Sequence, residues 1–327
     1  MNDSCPLIEL KNVKKFFPMK QGNLRAVDDV SFSICSGKTL GLVGESGCGK
    51  STIGKSLLML HSLTSGQIFY KGALLENFNK KEIKSFRKEV QMIFQDPFSS
   101  LSPRMTTEEI LKEPLQIHKI FSSSKDLKNR VYELLELVGL EKNYAGHFPH
   151  EFSGGQRQRI GIARALALNP HFIVCDEPIA ALDVSIQAQI VNLLKSLQKQ
   201  MGLTYLFISH DLAMVKYLCT EVAVMYLGHL VEIGPSCKVY KSPLHPYTQA
   251  LLSAIPIPDP AIEKKRIKIV LPGEIPSPIT PPSGCVFCTR CPKAINRCFK
   301  EKPLLKKMDN DHFVACHLAD SGASCTN

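Results

Sequence analysis

The sequence has no tryptophan, no internal repeat and no uninterrupted apolar run near the roughly 18 to 20 residues that a membrane-spanning helix needs. The nearest candidate, VAVMYLGHLVEIG from Val222, is broken by Gly228 and His229. We therefore predict that the chain does not cross a membrane by itself. The start, MNDSCPLIELKNVKKFF, has no basic leader followed by an apolar segment, a pattern that predicts a cytoplasmic location.

The positive charge is not arranged as nucleic-acid-binding proteins arrange it. The chain has 40 Lys and Arg against 30 Asp and Glu, a net charge of +10, and its densest basic cluster is KKEIKSFRKE from Lys80. This cluster has helical spacing and no interleaved aromatic residues on which single-stranded bases could stack. Nucleic acid, anionic lipid and a solvated surface with some phosphate-binding lysines are the three interpretations of this charge. The solvated surface is favoured, and we expect no nucleic-acid partner.

The composition is that of a folded globular protein. Hydrophobic residues make up 44% of the 327 residues and charged residues 21%. A chain of this length is too long for one compact core, so we expect a main domain with an extension. Proline-rich stretches such as IPIPDPAIEKK and LPGEIPSPITPPSG put the boundary near residue 255. The predicted domains are therefore residues 1–254 and residues 255–327.

Apolar periodicity predicts an α/β fold. LIELKNVKKFF and AVDDVSFSI alternate as strands of an N-terminal antiparallel β subdomain, and KTLGLVG is a short strand before a helix at KSTIGKSLLML. Residues 96–164 have mainly helical spacing, which predicts a helical insert. HFIVCDE, IQAQIVNLLKSLQKQMG, TYLFISHD and VAVMYLGHLVE then alternate strand and helix. This alternation implies crossover connections and a mainly parallel sheet.

The stretch GESGCGKST from Gly44 fits the phosphate-loop pattern G-x-x-x-x-G-K-[ST] between a predicted strand and a predicted helix. Glycines let backbone N–H groups surround phosphates, Lys50 adds a positive charge at the β and γ oxygens, and the Ser51 hydroxyl can ligate Mg²⁺. The alternative is a glycine turn that happens to precede a helix. The pattern and its flanks favour a P-loop nucleoside triphosphatase.

A P-loop enzyme also needs a carboxylate site at the end of an apolar strand, because Mg²⁺ must be held from the opposite side. FIVCDE supplies this site. Asp176 can hold the metal through water, and Glu177 can polarise the attacking water in an in-line displacement. By itself the pattern is weak, since acidic residues often cap helices after strands.

A second anion cradle is predicted in EFSGGQRQRIGIARAL, where Ser153, Gly154 and Gly155 precede a basic amphipathic helix. The chain already has one phosphate loop for its own nucleotide. The second cradle therefore needs a phosphate from elsewhere.

Together these segments resemble an ABC transporter ATPase, whose signature motif contacts the nucleotide of the opposite subunit. GESGCGKS resembles the Walker A loop, Gln95 in MIFQDP the Q-loop glutamine, FSGGQ the signature, FIVCDE the Walker B strand, AALD the D-loop and His210 in FISHD the switch histidine. The resemblance implies catalysis by Glu177, His210 and Gln95, with Mg²⁺ held by Ser51, Gln95 and Asp176. The implied nucleotide contacts are Phe17, Gly44, Glu45, Ser46, Gly47, Cys48, Gly49, Lys50, Ser51, Thr52, Ser153, Gly154, Gly155, Gln156 and Asp183. Phe17 would stack on adenine, and neighbouring Phe16 is its alternative.

Longer segments resemble the oligopeptide/dipeptide/nickel importer ATPases, most closely their second, F-type subunit. They include IFQDPFSSLSPRMT, PLHPYTQALLSA and PPSGCVFCTRCP. The resemblance implies ATP-driven peptide import by a peripheral protein on the cytoplasmic face of the inner membrane. It also implies three kinds of partner: a D-type sister ATPase subunit, two membrane permease subunits and, indirectly, a solute-binding protein.

Three alternatives stay open at this point. The imported solute could be nickel or another small molecule instead of a peptide. A soluble ABC ATPase acting on DNA or ribosomes usually has two ATPase halves or a long coiled-coil insert, whereas this chain has one half and no sustained heptads. A metal or redox sensor would make the cysteine-containing tail the main functional part.

The chain has 12 cysteines, and SGCVFCTRCPKAINRC from Ser283 holds four of them. A cytoplasmic location argues against disulfides, and a proline-rich tail with little core argues against simple packing, which leaves a metal centre. By resemblance to the four-cysteine tail of the peptide importers, we expect a structural [4Fe-4S] cluster on Cys285, Cys291, Cys298 and Cys316. Zinc is the rival metal, and Cys285, Cys288 and Cys291 are a rival ligand set of ferredoxin type.

Overall fold

The computed structural model describes residues 6–96, 100–180, 182–256, 259, 268–309 and 311–319. The chain divides into two compact units that interleave along the sequence. Unit 1 takes the described residues of the ranges 1–34, 39–76 and 209–327, and unit 2 takes those of the ranges 35–38 and 77–208. The predicted boundary near residue 255 stays a prediction.

Unit 1 starts with an antiparallel sheet and the strand that leads into the predicted phosphate loop. In chain order, its first elements are β1 (Ile8–Met19), β2 (Gly22–Ile34), β3 (Thr39–Val43), α1 (Lys50–Leu57), β4 (Ser65–Tyr70), β5 (Ala73–Leu74) and a 3₁₀ turn at Leu75–Asn77. The sheet order is β2-β1-β4-β5, with Ile8 opposite both Ile34 and Tyr70. Along β1, Ile8 and Leu10 are buried, as the alternating pattern predicts. Val13 is also buried, because a register shift between Leu10 and Val13 changes the phase of the alternation.

Unit 2 contains three parallel strands and a set of helices. Its elements are α2 (Lys80–Glu89), β6 (Val90–Ile93), α3 (Thr107–Ile117), α4 (Ser124–Leu137), 3₁₀ turns at Lys142–Gly146 and Pro149–Glu151, α5 (Gly154–Leu166), β7 (Phe172–Asp176), α6 (Val184–Met201) and β8 (Thr204–Ile208). Strand β7 pairs in parallel with β6 and β8, and every residue of β7 and β8 is buried. Capping boxes at Asn79 and Thr106 explain where α2 and α3 begin, because each side chain accepts an N–H of the first turn.

The last part of unit 1 contains α7 (Leu212–Leu218), β9 (Glu221–Tyr226), β10 (His229–Pro235), α8 (Ser236–Lys241), α9 (Pro246–Ser253), α10 (Asn296–Lys300), β11 (Lys306–Asp309) and β12 (His312–Val314). Strand β3 pairs in parallel with β9. The next three strands are added in antiparallel pairs: β10 on β9, β12 on β10 and β11 on β12. The stretch VAVMYLGHLVE, interpreted from sequence as one strand, is a hairpin. Leu227 and Gly228 both have positive φ, 46° and 79°, which is the backbone of a tight two-residue hairpin turn.

The described helices include none that is both long enough and apolar enough to cross a membrane.

A buried ionisable cluster joins β10, β12 and the start of α9. Glu232 is fully buried, and its carboxylate accepts the backbone N–H groups of Leu244 and His245. Nε2 of buried His312 lies 2.8 Å from Glu232 Oε1. The ring of His245 caps α9, because its Nδ1 accepts the backbone N–H of Tyr247 at 3.1 Å. The cap requires an unprotonated Nδ1.

We expect the protein to lose stability between pH 6.5 and pH 4 through His245. Burial lowers the pKa of His245 to about 4, against a smaller opposing effect of Glu232, whereas the unfolded imidazole titrates near 6.5. Between pH 6.5 and pH 4 only the unfolded state binds this proton. The free energy of unfolding therefore keeps its full value above pH 6.5 and falls by roughly 3 kcal/mol as the pH approaches 4. Urea unfolding at pH 7.5 and pH 5 measures the loss.

His245→Asn is the matched control, because Asn can cap a helix and does not titrate. Its free energy of unfolding is expected to change less between the two pH values than that of the wild type, by about 2 kcal/mol. Equal pH dependence in the two proteins would contradict the assignment.

Candidate functional site

The predicted phosphate loop connects β3 to α1 within unit 1. Gly44, Gly47 and Gly49 have φ values of 152°, 79° and 105°, which L side chains rarely adopt. A Cβ at Gly44 would lie 2.2 Å from the carbonyl oxygen of Met225, and one at Gly49 would lie 2.1 Å from that of Ala26. A Cβ at Gly47 would meet nothing within 4 Å. The loop is therefore pressed against the backbone at Gly44 and Gly49 and open at Gly47.

Lys50 folds back over this loop at the start of α1. Its Nζ donates to the carbonyl oxygens of Gly44 at 2.8 Å and Glu45 at 2.9 Å, and the residue is only 5% exposed. The N-cap residue of α1 is Gly49, which has no side chain to accept the N–H groups of the first turn. A buried ammonium beside an uncapped helix N-terminus is the electrostatic environment that phosphate groups bind.

The other predicted residues of the loop lie beside Lys50. Ser46 is exposed, while Ser51 and Thr52 are half-buried in the first turn of α1. Cys48 is buried, with its Sγ 3.6 Å from Lys50 Nζ. Desolvation raises the pKa of the Cys48 thiol despite the nearby lysine, so the thiol stays neutral and adds no negative charge to an anion site.

Phe17 and His210 also lie in unit 1. Phe17 is half-buried near the end of β1, with its ring 5.4 Å from the ring of His61 in edge-on contact and Lys15 Nζ 4.8 Å from its centroid. Phe16, its alternative, has the Arg25 guanidinium 5.8 Å from its ring. His210 is exposed just after β8 and before α7. The adenine role of Phe17 and the phosphate role of His210 stay predictions.

In unit 2 the fold brings Gln95 and Glu177 together, although they lie 82 residues apart. Asp176 is the buried last residue of β7, and Glu177 follows it. Gln95, just after the parallel strand β6, donates from Nε2 to Glu177 Oε2 at 2.8 Å. Glu177 has a φ of 45°, which strains a non-glycine backbone and is often found where a catalytic side chain must be aimed.

The predicted signature forms the N-terminus of α5. The Ser153 hydroxyl accepts the N–H of Gln156 at 3.3 Å, and the Gln156 side chain accepts the N–H of Ser153 at 2.9 Å. This capping box satisfies one donor of the first turn. Gly154 is exposed, whereas a Cβ at Gly155 would lie 2.6 Å from Ile186 Cγ2. Gly155 is therefore closely packed against Ile186, whereas Ser153 and Gly154 are exposed. The anion-binding role of this segment stays a prediction.

Asp183, the residue that we predicted in the D-loop, is the exposed N-cap residue of α6 and makes no side-chain cap. Gln187 supports this turn, because its Nε2 donates to the carbonyl oxygens of Ile179 and Leu182. Ala181 of the AALD segment lies outside the described residues. The Asp183 carboxylate therefore does not cap α6.

The prediction of an iron-sulfur cluster is wrong. Cys285, Cys291, Cys298 and Cys316 are all described, as is Cys288 of the rival set, and among the described residues no group of three or more His, Cys, Asp or Glu side chains could hold a metal ion. This finding also leaves zinc without support. Burial raises the pKa of Cys285 to about 12 and also raises those of Cys291 and Cys316. These thiols are therefore neutral in the folded chain.

The cysteines of the tail take part in packing, which the sequence argument had rejected. Cys285, Cys288 and Cys298 are buried, and the N–H of Cys285 donates to the carbonyl of Cys298 at 2.7 Å. The tail does have a core to fill. Strand β12 of the tail pairs with β10 and so adds a strand to the sheet of unit 1. Phe287 of the tail is fully buried. The ten cysteines within the described ranges are free thiols.

Two residues that contact the phosphate loop were missed by the sequence argument. Arg290 donates to the Glu45 carboxylate at 2.8 Å, and the Tyr247 hydroxyl accepts the Glu45 N–H at 2.9 Å. The available signal was weak: Arg290 is the only charged residue in SGCVFCTRC. A lone arginine among cysteines and apolar residues indicates a buried charge that needs a carboxylate partner.

Family models match two parts of the chain. Residues 27–180 match the family described as "ABC transporter". Residues 231–298 match the family described as "Oligopeptide/dipeptide transporter, C-terminal region".

Similar proteins cover nearly the whole chain. The putative oligopeptide transport ATP-binding protein YkfD of Bacillus subtilis (strain 168) is 57% identical over 314 residues, 96% of this chain and 95% of that protein. The oligopeptide transport ATP-binding protein OppF of Haemophilus influenzae is 53% identical, over 94% of this chain and 93% of its own length. OppF of Escherichia coli (strain K12) is 52% identical, over 95% and 93%.

Solved structures share the fold. The dimeric post-hydrolysis state of the ATP-binding cassette MJ0796 bound to ADP and Pi has a TM-score of 0.65 at 30% sequence identity. The match covers 70% of this chain and 98% of that one.

Proposed function

The chain belongs to the ABC transporter ATPase family, and from that membership we propose that it hydrolyses ATP to energise peptide import through a membrane ABC transporter. Membership confirms the predicted α/β P-loop fold, with its N-terminal antiparallel sheet and mixed, mostly parallel main sheet. It also confirms the predicted ATPase class and the resemblance to importer ATPases.

One observation carries the choice of peptide import. Residues 231–298 match the C-terminal region of oligopeptide/dipeptide transporters, a region outside the part that matches the general ABC model. Relatives at 52% to 57% identity are oligopeptide transport proteins by name. Both support a peptide over nickel or another small solute. A metal-sensing role for the tail has no support, because the described residues hold no group of metal ligands.

The phosphate loop binds the triphosphate in this proposal. Backbone N–H groups at Gly47 and the uncapped start of α1 face the phosphates, and Lys50 exchanges its bonds to the loop carbonyls for bonds to phosphate oxygens. Ser51, Gln95 and Asp176 supply a hydroxyl, an amide oxygen and a carboxylate, the hard oxygen ligands that suit Mg²⁺. When bound, the ion neutralises charge on the β and γ oxygens.

Glu177 acts as the general base and Gln95 holds it. The hydrogen bond from Gln95 Nε2 to Glu177 Oε2 orients the carboxylate, and the carboxylate polarises the attacking water. His210 donates a hydrogen bond to the γ-phosphate, and Phe17 stacks on adenine. Ser153, Gly154, Gly155, Gln156 and Asp183 contact the nucleotide of a second ATPase subunit.

The signature and the family support a proposal for the assembly. The chain pairs with a D-type sister ATPase and two permeases, and a solute-binding protein delivers the peptide. The permeases dock beside the Gln95 loop and the helical insert of residues 96–164. The protein works as a peripheral subunit on the cytoplasmic face of the inner membrane.

A pull-down tests this assembly. We expect the tagged full chain, purified from detergent-solubilised membranes of cells that contain its transporter, to retain a sister ATPase and two permeases. Ile117→Glu changes an exposed apolar residue at the end of α3, in the insert, and should lower permease retention. Met19→Glu, a similarly exposed apolar residue in β1, should not. Mass spectrometry identifies the partners, and recovery of ribosomal or DNA-bound proteins in place of permeases would contradict the proposal.

A further inference from the structure

The C-terminal tail reaches the phosphate loop directly through Arg290. Its Nη1 donates to Glu45 Oε2 at 2.8 Å and to the Tyr226 hydroxyl at 3.4 Å, and its guanidinium carbon lies 5.9 Å from the Tyr226 ring centroid. Arg290 is 8% exposed, and its partner is the second residue of the loop. An arginine of the cysteine-containing segment therefore belongs to the surroundings of the nucleotide site.

An aromatic cluster fixes the position of Arg290. Tyr226, Tyr247 and Phe287 are almost fully buried, with ring centroids 4.8 to 5.3 Å apart. Phe287 lies three residues before Arg290, whose N–H donates to the Phe287 carbonyl at 3.0 Å. Rings in such tilted and edge-on contacts pack as a rigid unit. The guanidinium is thus held at the loop by packing and not only by its ion pair.

Glu45 is bound on three sides. Its carboxylate accepts from Arg290, its N–H donates to the Tyr247 hydroxyl, and its carbonyl accepts from Lys50. Lys50 therefore holds the backbone of Glu45, while Arg290 holds its carboxylate. Without Arg290 the carboxylate would be an unpaired, partly buried negative charge within the loop to which we assign the triphosphate.

The arrangement is not optimised for stability. Arg290 Nε is buried and has no acceptor among the described residues. A buried donor without a partner costs folding free energy, so the contacts of the guanidinium to Glu45 and Tyr226 are what hold it in place.

We propose that Arg290 is a positioning residue for ATP binding, which holds the phosphate loop through Glu45 and neutralises the Glu45 carboxylate beside the phosphates. The inference rests on the proposed ATPase function and adds to it a role for the C-terminal extension. The tail is part of the nucleotide site in this assignment.

Nucleotide titrations of the purified full chain test the role. Arg290→Ala should raise the Kd for a fluorescent ATP analogue by roughly 10-fold, the effect of losing a charge-assisted hydrogen bond. Arg290→Lys keeps the charge and should stay within about 3-fold of the wild type. The double variant Glu45→Gln/Arg290→Ala removes the unpaired carboxylate as well and should regain most of the lost affinity.

Arg297→Ala is the matched control. Arg297 lies in the same tail and pairs with exposed Glu301, away from the loop, so its loss should leave the Kd unchanged. Thermal unfolding without nucleotide shows that each variant is folded. If Arg290→Ala binds as tightly as Arg297→Ala, or if the double variant binds no better than Arg290→Ala, the positioning role is overturned. If the wild type itself binds no nucleotide, the proposed function fails instead.

Discussion

Glu177→Gln is expected to lower ATP turnover of the assembled transporter by about 10²-fold to 10⁴-fold while ATP binding stays intact, because the change removes the general base. Glutamine has the same shape, and its amide oxygen can still accept the hydrogen bond that Gln95 makes to Glu177. The geometry is therefore kept and only the basic carboxylate is lost. With hydrolysis blocked, the two ATPase subunits should stay closed on bound ATP.

Glu133→Gln is the matched control for this experiment. Glu133 is an exposed glutamate of α4 in the same unit, with a surface ion pair to Arg130 at 3.1 Å. Its substitution should leave turnover within about 2-fold, because surface ion pairs contribute little. Turnover is measured as phosphate release at saturating ATP. Near-normal turnover by pure Glu177→Gln complexes would refute the assignment of the base.

Gly49→Ala is expected to abolish ATP binding and to lower the free energy of unfolding by about 3 kcal/mol or more, the sum of backbone strain and steric overlap. The new Cβ would lie 2.1 Å from the Ala26 carbonyl oxygen, and the φ of 105° is unfavourable for alanine. Backbone must move to relieve this overlap, and the atoms that move are those that form the phosphate loop.

Gly47→Ala separates strain from overlap. Gly47 also has a positive φ, 79°, yet a Cβ there meets nothing within 4 Å. Its substitution should therefore cost only about 1 kcal/mol of unfolding free energy. Urea unfolding of the full chain compares the two variants. Equal losses of stability would show that close approach to Ala26 does not shape the loop.

The cysteine-containing tail shows where sequence reasoning failed. Spacing and resemblance favoured a cluster, and a proline-rich segment was judged to lack a core. Neither the cysteine spacing nor the proline content predicts β12, which pairs with β10 and places Phe313 opposite Ile233. That pairing joins segments about 80 residues apart and gives the tail a core that its own composition does not supply. Burial then made the thiols part of the packing.

The sequence by itself determined the order of the motifs along the chain, the α/β class and the position of the phosphate loop. These features depend on local patterns: the period of the apolar residues, the placement of glycines and a lysine at the start of a helix. Only the tertiary structure decided which distant side chains meet. Gln95 reaches Glu177 across 82 residues, and Arg290 reaches Glu45 across 245. Such pairs have no local signature, since only the folding of the chain brings residues so far apart in sequence within hydrogen-bond distance.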